Sequence, residues 1–175
     1  MSDASKKMRD KRLVFYADDV EKLDKYLGEF LKLSKAKCAM LIDKEGHMVT
    51  KQGVTRSLDM DTISALVAGS FAATKEMARL LGEDEFSVLF HQGKTDNIQL
   101  SLVGNRTLLT VIFDEATTIG MVRLYANETA KKLAEHFDTV QGRDPASVAQ
   151  HAAAEGFSED FTSDAQGNLD DVFGS

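Results

Sequence analysis

The stretch Ile98–Phe113, IQLSLVGNRTLLTVIF, decides how this chain folds. It reads as two strands, about Ile98–Val103 and Thr107–Phe113, joined by the tight turn Gly104-Asn105-Arg106. Glycine at the turn supplies backbone angles that other residues avoid. So short a connection pairs the strands antiparallel. The second of them contains LLTVIF at 108–113, which is apolar on both faces. Such a strand belongs in the middle of a sheet covered on both sides.

Working outward, a further strand is expected at about Phe86–His91, with two more at Lys37–Asp43 and His47–Lys51 around the turn Lys44-Glu45-Gly46. Val20, Leu23, Leu27, Phe30 and Leu31 recur at helical steps, in a helix beginning near Phe15. A second helix runs from about Asp61 to Leu81, with Asp59 or Asp61 as N-cap and Gly82 ending it. The third, from about Thr118 to Phe137, sets Ile119, Val122, Ala126, Ala130, Leu133 and Phe137 in one stripe. The order αββαβββα predicts an α+β fold with a five-stranded antiparallel sheet between helices.

Of the 175 residues, 43% are hydrophobic, enough for one compact domain with tails. The expected division is a basic arm at 1–14 without fixed structure, a domain at 15–138, a linker at 139–156 and an acidic tail at 157–175. From Asp138 onward eight acids face one base, Arg143, so the entire net charge of −7 sits there. That tail repels nucleic acid and anionic lipid. The arm from Lys6 to Arg12 holds five bases against Asp10, but no aromatic residue interleaves them. No signal-peptide pattern opens the sequence and no apolar run is long enough to span a bilayer, which predicts a cytoplasmic protein without membrane insertion. The single Cys38 rules out an internal disulfide and reads as core packing.

Catalytic motifs are missing. His47, His91, His136 and His151 are widely separated, no two at metal-ligand spacing, and no phosphate loop, dinucleotide fingerprint or nucleophile elbow occurs. Asp59, Asp61, Glu83, Asp84 and Glu85 lie at helix ends, where charge favours them without catalysis, and Asp114 and Glu115 read as a turn. No catalytic residue, metal or cofactor is expected.

The second helix stands out instead. At about 100° per residue, Ile63, Leu66, Val67, Ser70, Thr74, Met77, Ala78 and Leu81 form its expected core face. The opposite side carries Ala65, Ala68, Gly69 and Ala72, with Glu76 and Arg79 toward its end. Glycine inside a helix costs about 1 kcal/mol relative to alanine, so a stripe of small residues there predicts a surface that another backbone approaches. In the strand SVLFHQ, Val88, Leu89 and Phe90 make both faces partly apolar; as a sheet edge it invites pairing with a second copy.

The element order, together with GEDEF at 82–86, FHQG at 90–93, LVGNR at 102–106, VIFDEATTIG at 111–120 and MVRL at 121–124, resembles the roadblock/dynein light chain family, in its bacterial cell-polarity and gliding-motility branch. The resemblance runs from about Lys37 to Phe137. It implies a roadblock/profilin-like homodimer that activates an MglA-type Ras-like small GTPase, third strands pairing and second helices forming one platform, with residence at a cell pole. Ala72 and Glu76 fall at docking positions; a small residue is the pattern where Glu76 stands. Members of this type lend no arginine finger, although Arg56, Arg79 and Arg106 are available. NLDDVF at 168–173 resembles the family's GTPase-gripping tail, with Leu169, Val172 and Phe173 as its edge. Assisted nucleotide exchange belongs to the same expectation. An adaptor that binds a GTPase or polarity protein without changing its turnover is the alternative.

Overall fold

A computed structural model describes residues 15–142. The basic arm, most of the linker, and the tail residues Leu169, Val172 and Phe173 lie outside the described residues. The elements follow the expected order: α1 (Ala17–Ser34), β1 (Cys38–Asp43), β2 (Met48–Gly53), α2 (Met60–Leu80), β3 (Val88–Gln92), β4 (Asn97–Val103), β5 (Thr107–Phe113) and α3 (Ile119–Gln141). The strands form one antiparallel sheet in the order β2-β1-β5-β4-β3. β5 is central and buried at every position, as its two-sided apolar run requires.

Alternation along the strands divides the core into two layers. Ala39, Leu41, Leu109, Val111 and Phe113 face α1 and α3, meeting Leu23, Leu27, Phe30, Val122, Ala126, Leu133 and Phe137. Cys38, Met40, Ile42, Leu100, Leu108 and Ile112 face α2, meeting Met60, Val67 and Phe71. On the first face Phe15 sets its ring edge-on to Phe137 at 5.5 Å, and buried His136 of α3 lies 3.5 Å from the Asp19 carboxylate of α1. α3 runs past the expected boundary at Asp138, because Val140 still reaches the core.

The caps follow local chemistry. Asp59 accepts the Thr62 N–H at 3.1 Å and the Thr62 hydroxyl at 2.6 Å, satisfying an otherwise orphaned donor of the first turn of α2. The Thr62 hydroxyl, foremost, holds the Asp59 carboxyl below the usual aspartate range. At the start of α1 the Asp19 carboxylate reaches back to accept the Tyr16 N–H at 3.0 Å. Gly104 turns the β4–β5 hairpin at φ 60°. Among the described residues no helix is long and apolar enough to cross a membrane.

Candidate protein-docking face

The two faces of the sheet are covered unequally. Neighbouring strands lie about 4.8 Å apart, so five span about 19 Å between the outer axes. A helix with its side chains is about 10–12 Å wide. Among the described residues two helices close the first face, whereas α2 alone lies on the second and leaves the β4–β3 side open. A groove of about 200 Å³ results, lined by Ile63, Leu66, Val67 and Ser70 of α2, His91 of β3, and Ile98 and Leu100 of β4.

The orientation of α2 corrects the sequence expectation. Met60, Ser64, Val67, Ala68, Phe71 and Ala78 are buried, spaced by helical turns around Phe71. Leu66, Met77 and Leu81, expected in the core, are 67%, 52% and 73% exposed, and Leu80 joins them at 78%. The reason is steric: Phe71, the helix's only aromatic residue and the largest side chain it can bury, fixes the rotation. The leucines and methionine on the other side are left in water. Phe71 was the signal that could have found this in the sequence.

Of the small residues, Ala65, Gly69 and Ala72 are exposed, as is Ala73 beside them. Ala68 is taken up within the chain instead, buried against the β1–β2 turn, where Gly46 comes close to Ala65 and Ala68. A Cβ built on Gly69 meets no atom of another element within 4 Å, so among the described residues no packing asks for a glycine there. Glu76 is exposed and pairs with Arg79 Nε at 3.0 Å on the same face. Of the three arginines considered, only Arg79 belongs to this helix.

β3 is an outer strand, with Val88, Leu89 and Phe90 all half-buried. Phe90 stacks on Phe113 on the two-helix side, at 6.1 Å between ring centres, while Leu89 packs on the α2 side. Both faces of this edge are therefore partly apolar.

Of the acidic residues singled out in the sequence, Asp114 and Glu85, like Asp59, have structural partners. Asp114 accepts the Ala116 N–H at 3.0 Å in the turn after β5 and lies 3.6 Å from Lys37 Nζ. Asp96 hydrogen-bonds Lys37 at 2.8 Å and, with Asp114, raises its pKa. Glu85 pairs with Lys44 at 2.8 Å, and that ammonium also sits 5.7 Å from the Phe71 ring centre. Burial pushes the Cys38 thiol pKa up, which disfavours a nucleophilic thiolate. One group not foreseen, Asp43, Glu45 and His47, offers donor atoms close enough to share a metal ion.

Comparison with known proteins agrees with this architecture. No curated protein matched the sequence significantly. Among solved structures, Myxococcus xanthus MglB is 33% identical with a TM-score of 0.70, the match covering 76% of this chain and 99% of that one. The gliding protein MglB from Thermus thermophilus is 32% identical with a TM-score of 0.69, covering 73% and 96%. A structure of MglB with a tetrameric arrangement is also 32% identical, with a TM-score of 0.70 and coverage of 73% and 96%. The Roadblock/LC7 domain matches residues 22–113. With this fold, this order of strands and these likenesses, the chain belongs to the Roadblock/LC7 family.

Proposed function

We propose that this protein is a homodimeric regulator of an MglA-type Ras-like small GTPase in cell polarity and motility, stimulating GTP hydrolysis and assisting nucleotide exchange. The observation that carries the reading is the exposed face of α2, where small residues and outward-facing Leu66, Met77, Leu80 and Leu81 adjoin a groove and, among the described residues, an outer strand edge. The likeness to MglB supports it, and the family resemblance supplies the partner class.

Two copies joined along Val88–Phe90 of β3 bring their α2 helices together as one seat. Completing the burial of those four exposed side chains contributes roughly 1–2 kcal/mol each, on the order of 10 kcal/mol over two copies. Association itself costs about 4–15 kcal/mol. Helix contact alone is thus of the same order as the cost of association, and strand pairing adds to the favourable side.

Docking on Ala65, Gly69, Ala72 and Glu76 positions the GTPase's own catalytic groups rather than supplying one. A partner that meets Glu76 also meets Arg79, so the carboxylate arrives at the interface already paired. The tail residues Leu169, Val172 and Phe173, which resemble the family's gripping segment, add a further hold on the GTPase.

The test is GTP turnover by a cognate MglA-type GTPase, with sedimentation to establish the dimer. Wild-type protein accelerates hydrolysis; Ala72→Arg, at an exposed position, abolishes the effect without lowering the melting temperature. Undiminished stimulation by Ala72→Arg removes the platform from the account. Co-elution with unchanged turnover decides for the adaptor, the reading favoured by a charged residue at 76.

A further inference from the structure

The turn between β1 and β2 gathers three donors that the docking face does not use. Asp43 closes β1, and His47 immediately precedes β2. Asp43 Oδ1 accepts the backbone N–H of Glu45 at 2.9 Å and that of His47 at 2.8 Å. Those two bonds orient the carboxylate, leaving Oδ2 3.0 Å from His47 Nδ1. Glu45 Oε2 lies 3.8 Å from the same nitrogen, and the three donor atoms fall within 4.8 Å of one another.

First-row metal ions hold nitrogen and oxygen ligands at about 2.0–2.2 Å, which sets neighbouring donors about 3.0–3.5 Å apart. The Asp43–His47 pair already has that separation. Glu45, largely exposed, needs only a side-chain rotation to complete a three-donor set. We propose that Asp43, Glu45 and His47 bind one divalent transition-metal ion of the zinc, nickel or cobalt type, with water in the remaining positions. The imidazole selects this class over magnesium and calcium, which take oxygen ligands. The backbone bonds to Asp43 Oδ1 serve as outer support that holds the ligand in place. The same turn carries Gly46 against Ala65 and Ala68, so an ion bound there also ties down the support beneath α2.

The full-length chain is titrated with zinc chloride against a chromophoric chelator. Wild-type protein takes up one equivalent at this site. His47→Gln and Asp43→Asn each bind about tenfold more weakly or worse. The asparagine keeps an oxygen for the two backbone N–H groups, so its loss reports the missing ligand rather than a broken turn. His91→Gln and His151→Gln bind as wild type. Nickel broadens the NMR signals of residues 43–47 before any others. No zinc uptake by wild type, wild-type uptake by His47→Gln, or loss of uptake in His151→Gln overturns the assignment.

Discussion

Replacing Gly69 with alanine separates what the fold asks of α2 from what a partner asks. Gly69 lies inside a 21-residue helix, exposed, and its added Cβ meets no atom within 4 Å. The substitution should therefore recover the full helix-propensity difference, about 1 kcal/mol. With an unfolding entropy of about 2.1 cal/mol/K per residue, a domain of this size gains about 3–4 °C in Tm. Calorimetry at several protein concentrations separates this gain from any change in dimerisation. If another backbone packs closely on this position, the same methyl group is an intrusion costing about 1–3 kcal/mol there. The concentration giving half-maximal GTPase stimulation then rises roughly fivefold to a hundredfold. A protein that is both more stable and a poorer regulator is the expected outcome. A fall in Tm would refute the claim that the chain leaves position 69 open. A rise in Tm with unimpaired regulation would refute close approach at this residue.

The rotation of α2 is checked by a pair of truncations: Leu66→Ala changes unfolding free energy by less than about 0.5 kcal/mol in dilute monomer, whereas Leu108→Ala costs about 2–5 kcal/mol. Comparable losses in denaturant melts would show that Leu66 is packed within the chain. Asp59 has a carboxyl pKa lowered by its bonds to Thr62, so its contribution is present above the ordinary aspartate range and lost as pH falls through the folded value. Asp59→Ala thus lowers Tm at neutral pH, and the gap to wild type closes in strong acid; a constant gap down to pH ~2 contradicts the cap. Cys38, buried and with its thiol pKa raised, should resist iodoacetamide in the native protein and label only on unfolding, as mass spectrometry would show. Rapid native labelling would place the thiol outside the core.

The fold was legible because its decisive signals are local. LLTVIF carries its two-sided burial in its composition, Gly104 marks the hairpin, and Asp59 marks the start of α2. The stripe of α3 is legible to Phe137; Val140 was missed because one isolated apolar residue among polar ones carries little periodic signal. The candidate docking face was half legible. Gly69 and the alanines beside it announced an unusual helix side, but the bulk of Leu66, Met77 and Leu81 suggested the core. Hydrophobicity alone cannot tell a residue buried in its own chain from one awaiting another chain. Phe71 could, since only one side of the helix accommodates a phenyl ring. The Asp43–Glu45–His47 group was invisible to a search for paired histidines, because its ligands come together through a turn held by the Asp43 carboxylate.

Gly46 bears on all of this from outside the helix. Its φ of 95° disfavours a side chain, and a Cβ there would come 3.2 Å from the Ala65 Cα and 3.6 Å from both Ala68 Cβ and Ser64 O. The absent side chain acts as a shim of zero thickness, letting the β1–β2 turn lie close against α2 at Ser64, Ala65 and Ala68. A side chain at 46 would press on the backbone of α2 at Ala65, which must give by a few tenths of an ångström, and would strain the turn itself. Position 46 thus bears on the candidate docking face from beneath, at a residue that a survey of that face would pass over.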